Sequence, residues 1–242
     1  MYKLSLFASS LLFAATLAAA PIACSVGTAA AYTGAINSAG GCTEDGLLFS
    51  NFNYIPTSSG TAVALPAASL AIAPLSNTSG DGLGFQIVGG FAATTGGVAD
   101  GVFQYEVSTL NNSATLNGLS LTFNGTFTGS GIANTTENYC PGGTTVPPTT
   151  CSGGLQNIFV QSSQGVNKLS ASATYLPVSS ITVSKDIQVN GSTVAASTAT
   201  ISSVTNQFQT TTTGTVPEPA SLLLLPGGLL VLLFARRKTR LS

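Results

Sequence analysis

Val102-Phe103-Gln104-Tyr105-Glu106-Val107-Ser108 places Phe103, Tyr105 and Val107 on one side of an extended chain and Gln104, Glu106 and Ser108 on the other. A period of two marks a half-buried strand, because successive side chains leave a strand on opposite faces. The alternation recurs further along the chain. Leu119, Leu121 and Phe123 alternate with Ser120, Thr122 and Asn124; Leu169, Ala171, Ala173 and Tyr175 alternate with Ser170, Ser172 and Thr174. Ile181, Val183, Ile187 and Val189 alternate with Thr182, Ser184, Asp186 and Gln188, and Lys185 is the one exception on that apolar face. Strands with one dry and one wet face pair antiparallel. The wet faces here carry Ser and Thr where Lys and Glu are usual, and the branched Thr side chain suits a pleated surface.

Candidate strands cover 47–54, 68–73, 83–89, 102–109, 113–124, 126–133, 155–161, 169–176, 180–189, 192–196 and 199–209, divided by Gly, Asn and Pro turns. Asn190-Gly191 predicts a two-residue hairpin joining 180–189 to 192–196. Residues 77–84 form a Gly/Asp/Asn loop. No window offers a long amphipathic helix, and no repeat of tens of residues is present. The fold class expected is all-β, an antiparallel β-sandwich or jelly-roll-like ectodomain over residues 32–209. Residues 210–216 then form a Thr-rich linker.

The chain of 242 residues holds only 7 Lys+Arg and 8 Asp+Glu, with no His and no Trp. Without His, Ser-His-Asp and Cys-His catalysis are excluded, as are most zinc sites. So little positive charge also argues against nucleic-acid binding.

The cations are unevenly placed. Lys3 precedes an apolar stretch and a run of small residues, the layout of a secretory signal, which implies the Sec translocon and signal peptidase as partners. Cleavage after Ala31 gives a signal peptide of residues 1–31. Cleavage after Ala20 would put Pro21 just beyond the cut, where proline is disfavoured, and lipidation at Cys24 is a further alternative. At the other end, residues 220–235 form an uncharged apolar helix followed by a basic tail, 236–242, with Arg236, Arg237, Lys238 and Arg240. Sixteen helical residues span about 24 Å, short of a bilayer's hydrocarbon core but extended by snorkelling of the arginines. The basic cluster keeps the C-terminus in the cytoplasm and the rest of the chain outside. Between the two ends only Lys168 and Lys185 face seven carboxylates, a net charge of −5 where the whole chain has −1.

Val216, Pro217, Glu218 and Pro219, then the short apolar helix and the Arg-rich end, resemble the PEP-CTERM sorting signal over residues 217–242. That resemblance implies a membrane-embedded exosortase that cuts near the tripeptide and an exopolysaccharide setting. A plain single-pass anchor is the alternative. The two prolines favour an extended, accessible segment in either case. From Gly40 onward the chain also resembles an uncharacterised acidobacterial family of exported PEP-CTERM proteins. The resemblance rests on Gly41-Cys42, on Leu48-Phe49-Ser50-Asn51-Phe52-Asn53-Tyr54, on Cys140 and Cys151, on Val183-Ser184-Lys185-Asp186-Ile187, and on Gln207-Phe208. It implies export and a β-rich fold, and no activity.

Export makes disulfides plausible. Cys140 and Cys151 bracket a Pro/Gly/Thr segment with no core-forming content, and a bridge between them would stabilise by roughly 2–3 kcal/mol. Cleavage after Ala31 leaves Cys42 unpaired; cleavage after Ala20 keeps Cys24 as its partner. The carboxylates Glu44, Asp45, Asp81, Asp100, Glu106 and Asp186 read as solvated turn and surface acids, not as a hydrolytic pair. No catalytic residue, metal site or cofactor is expected. The function expected is that of an exported, non-enzymatic surface or matrix protein, with a carbohydrate-binding or adhesive module as the alternative.

Overall fold

The alternating segments become fourteen strands among the described residues of the computed structural model, which are 20–76, 82–110, 114–144, 151 and 154–212. They are β1 (Ile22–Ala23), β2 (Gly27–Thr28), β3 (Cys42–Glu44), β4 (Leu47–Ser59), β5 (Ala71–Leu75), β6 (Leu83–Thr94), β7 (Val98–Thr109), β8 (Ala114–Thr128), β9 (Ile132–Pro141), β10 (Gln156–Ser163), β11 (Val166–Lys168), β12 (Ser170–Val178), β13 (Ser180–Asn190) and β14 (Thr198–Thr212). Two sheets form a β-sandwich. The larger has the order β1-β3-β4-β7-β13-β9-β10-β11, the smaller β12-β8-β14-β6-β5-β2. Among the described residues only β1 and β3 pair in parallel; the other pairings are antiparallel, as one-sided burial requires.

The dry faces meet in one core. Phe85 of the smaller sheet inserts among Phe49, Phe52 and Tyr105 of the larger, with ring centroids 4.5, 5.9 and 5.8 Å away. Such edge-to-face packing adds to the area term of burial. Strand β4 supplies rings of both parities because its register shifts between Ser50 and Asn53. Asn51 takes φ 56° there, and the extra residue carries the inward face from Leu47 and Phe49 to Phe52 and Tyr54. The Asn51 side chain donates to Glu106 Oε2 at 2.9 Å and ties the bulge to β7.

Two boundaries differ from the sequence reading. The folded unit begins before Ala31: β1 joins the larger sheet, β2 the smaller, and Ala29 and Tyr32 are fully buried. Residues 22–31, which cleavage after Ala31 would remove, thus pack as part of the sandwich. The hairpin expected at Asn190-Gly191 is corrected. β13 and β14 lie in opposite sheets, and 192–196 is a crossover loop, not a strand. Asn190 Oδ1 accepts from the Ser192 amide at 2.7 Å, an Asx turn. Gly191 is needed for space, since a Cβ there would lie 1.9 Å from the Thr94 carbonyl oxygen. Residues 114–128 run as one strand through Gly125, and the break falls at Gly129, with φ 57°.

One polar cluster interrupts the core. Lys185 on β13 sits directly opposite Glu137 on β9, and both are 0% exposed. Lys185 Nζ donates to Glu137 Oε2. Glu137 Oε1 accepts from Asn206 Nδ2 of the opposite sheet at 3.0 Å, and the same Nδ2 donates to the Ser120 carbonyl at 3.0 Å. The Tyr105 hydroxyl donates to Asn206 Oδ1. Burial pushes the Glu137 carboxyl up and the Lys185 ammonium down, each partly held back by the other's charge.

Candidate functional site

Both disulfides are formed. Cys140 and Cys151 are bridged with Cα atoms 5.4 Å apart, and Cys24 is bridged to Cys42 at 4.8 Å. Cys42, unpaired on the Ala31 reading, thus has its partner. Paired cysteines fit an extracellular or periplasmic setting. Thr210–Thr212 of the expected linker belong to β14. Val216, Pro217, Glu218, Pro219, the helix 220–235, and Arg236, Arg237, Lys238 and Arg240 lie outside the described residues. Among the described residues no helix is long and apolar enough to cross a membrane.

The acids are less uniformly solvated than their sequence setting suggests. Asp45 is exposed on the turn between β3 and β4, while Glu137 is wholly buried. Asp100 on β7 and Asp186 on β13 point outward from the larger sheet on a diagonal, Asp186 facing Val102 and Thr136, Asp100 facing Gln188 and Thr57. Asp100 Oδ1 and Asp186 Oδ1 are both buried without a hydrogen-bond partner. Desolvation first, then the Asp100 charge, push the Asp186 carboxyl up to about 6.

The raised Asp186 carboxyl has a consequence for pH. Its folded pKa lies above the ordinary 3.8, so the folded state holds an extra proton between pH 3.8 and about 6. The stability it contributes is complete below the unfolded value and is lost as pH rises through about 6. Asp186→Asn is therefore expected to stabilise the domain at pH 7 by about 1–2 kcal/mol, after discounting for solvent around a half-exposed group. It should also flatten the slope between pH 5 and 7, as urea unfolding at several pH values would show. Glu106, raised mainly by burial, adds a residual slope of the same sign.

A cleft opens where the β10–β11 hairpin meets the end of β8. It measures about 500 Å³ and is lined by Thr126, Phe127, Ser162, Ser163, Val166 and Asn167, with Gly125 and Gly165. The volume falls in the range of small-ligand sites. Its lining has hydroxyls, one carboxamide and two apolar side chains, and no charge. Each wall is positioned by register: Thr126 Oγ1 shares a hydrogen bond of 2.8 Å with Thr200 Oγ1 across β8 and β14, and Gln161 Nε2 holds Ser163 Oγ at 2.7 Å. Ser162 and Ser163 are nearly buried despite their polarity. Beside the cleft, Lys168 lies 4.0 Å above the ring of Phe159, which is 44% exposed. The other cation between the ends, Lys185, is spent in the core, which leaves Lys168 as the exposed cation among the described residues. None of the cleft residues stood out in the sequence, where Ser, Thr and Asn are everywhere; only the closing of two distant strands singles them out.

The outer face of the larger sheet carries a second polar row. Asn53 Nδ2 donates to Gln104 Oε1 at 3.0 Å, and Gln104 Nε2 donates to Ser184 Oγ at 3.1 Å, so these groups largely satisfy one another. Among the described residues no cluster of acids and cysteines could hold a metal ion.

No protein-family model matches the chain, and no curated protein matches it. Among solved structures, the chain is similar to TmCBM61, solved in complex with β-1,4-galactotriose, at 9% identity and a TM-score of 0.32. That likeness covers 64% of this chain and 88% of the other. It is also similar to the enzymatically active domain of tailspike protein 4 of bacteriophage CBA120, at 11% identity and a TM-score of 0.27. There it covers 65% of this chain but only 19% of the tailspike chain.

Proposed function

We propose that the protein is exported and works outside the cell without catalysis, as a surface or matrix module that binds a neutral polysaccharide. The observation that carries the reading is the uncharged cleft of Thr126, Ser162, Ser163 and Asn167 with the apolar side chains of Phe127 and Val166 beside it. Hydroxyl and carboxamide groups exchange hydrogen bonds with sugar hydroxyls in either direction, and the apolar side chains suit the C–H faces of a pyranose. With the buried Lys185–Glu137 pair set aside, six carboxylates against one cation between the ends would repel an acidic polymer. Affinity electrophoresis of the full chain in gels of neutral and of acidic polysaccharides tests this. Retardation by a neutral polymer, reduced at least tenfold in affinity by Asn167→Ala with Thr126→Ala, is expected. Migration unchanged in every neutral gel would overturn the assignment.

For delivery, we infer that the Sec pathway exports the chain and that residues 217–242 act as a PEP-CTERM signal, cut near Pro217–Pro219 by an exosortase-type enzyme. The order of tripeptide, apolar stretch and basic end supports this. Intact-mass measurement on protein from its own host would reveal a C-terminus near residue 217. A C-terminus still at Ser242 would instead leave a retained anchor.

A further inference from the structure

We propose that Lys185 and Asn206 join through an intramolecular isopeptide bond between Lys185 Nζ and Asn206 Cγ, with Glu137 moving the protons and the Tyr105 hydroxyl polarising the carboxamide. A buried ion pair alone would need only Lys185 and Glu137, and such pairs contribute little over apolar side chains of the same size. Here a carboxamide from the opposite sheet is held on the other oxygen of the same carboxylate, with Asn206 Nδ2 3.0 Å from Glu137 Oε1. Nucleophile and electrophile therefore meet at one proton-transfer group. The Ser120 carbonyl, at 3.0 Å from Nδ2, fixes the amide plane. The Tyr105 hydroxyl donates to Asn206 Oδ1, where negative charge develops when the carbonyl carbon is attacked. Lys185, Glu137 and Asn206 are all fully buried, so water does not compete for the carbon.

The step balances without any other reactant. The Lys185 ammonium passes a proton to the Glu137 carboxylate, giving a neutral amine and a neutral acid. Burial favours this transfer, since it raises the proton affinity of the carboxyl and lowers that of the amine. The amine lone pair attacks Cγ, and the C=O pair moves onto Oδ1 under the Tyr105 hydroxyl. Glu137 gives its proton to Nδ2 and takes one from Nζ. The Cγ–Nδ2 bond breaks, C=O reforms and ammonia leaves, with Glu137 ending as a neutral acid beside the new amide. Two buried charges are removed, and the bond ties β13 in one sheet to β14 in the other. A cross-link between sheets suits a protein that must hold shape under tension outside a cell, although the chemistry does not depend on the ligand or on the sorting signal.

The test is mass spectrometry of the purified full chain under denaturing, disulfide-reduced conditions. The mass should be one ammonia below that of the linear chain. Because Asp186 directly follows Lys185, a protease cutting before aspartate separates the two partners, and their fragments should stay joined in a branched peptide. That peptide distinguishes the bond from ammonia loss by succinimide formation at Asn117-Gly118, Asn124-Gly125 or Asn190-Gly191. Trypsin should fail to cut after Lys185. Glu137→Gln and Asn206→Ala should give linear chains, and Tyr105→Phe should slow cross-linking at least tenfold. Wild-type protein with separate fragments and a trypsin cut after Lys185 would overturn the proposal, whether or not the variants fold.

Discussion

Lys185→Met, with Glu137 left in place, should destabilise the domain by about 3–5 kcal/mol at pH 7, the usual cost of stranding one member of a buried ion pair. Glu137 would keep Asn206 Nδ2 as its donor but lose the partner on Oε2, in a site with no exposure at all. It must then bind a proton, which costs free energy at neutral pH and costs less as the solution turns acidic. The deficit should therefore shrink on going from pH 7 to pH 5, because the protonated acid is the form the buried site accepts. Adding Glu137→Leu should recover most of the loss, since neither charge then remains and Asn206 Nδ2 still reaches the Ser120 carbonyl. Guanidinium unfolding with both disulfides intact, at the two pH values, measures all of these. Equal stability of Lys185→Met and wild type at pH 7 would mean that water reaches this part of the core. The comparison is made on chains whose mass is that of the linear form, because a cross-linked chain no longer holds the Lys185–Glu137 ion pair.

Lys185 also shows how far the sequence could be read. The period of two finds strands β7, β8, β12 and β13 from side-chain parity alone, and it marks Lys185 as a charge on a dry face. Its partner stayed hidden because Glu137 lies in Thr135-Thr136-Glu137-Asn138, where polar residues fill both parities and no alternation shows. Pairing of β9 with β13 over ten residues turns Glu137 inward. The chain at Asn190-Gly191 departs from the expected hairpin for a related reason. Asn-Gly is a local turn signal, but here the tight spot is set by Thr94 on another strand, a contact no local pattern contains. The cleft was illegible for the same cause: Thr126, Ser162 and Asn167 are ordinary strand-face and turn residues until the ends of β8 and β10 converge. Bulk charge, in contrast, was informative from the start, since the scarcity of cations between the ends predicts surfaces hydrated by hydroxyls, and the walls of the cleft are built that way.

A chain that starts at Tyr32 should be less stable than one that starts at Pro21 by at least about 3 kcal/mol, the typical cost of losing a native disulfide. Without residues 21–31 the Cys24–Cys42 bridge cannot form, and Cys42, fully buried, becomes a free thiol. Other contacts disappear with it. The Tyr32 hydroxyl loses the Ser25 carbonyl at 2.8 Å, the Ala29 amide no longer meets the Leu70 carbonyl at 2.8 Å, and β3 and β5 lose their neighbours β1 and β2. The consequence for processing is direct. A signal peptidase that cut after Ala31 would release a domain with its first strands missing, whereas a cut after Ala20 leaves the sandwich whole at the cost of a proline beside the scissile bond. Thiol titration of the denatured, non-reduced mature protein separates the two: none reactive for the earlier cut, one for the later. A Tyr32 chain that melted with the longer one would show that residues 21–31 add nothing to the fold, and the cleft and the buried cluster, which lie on other strands, would then have to stand without them.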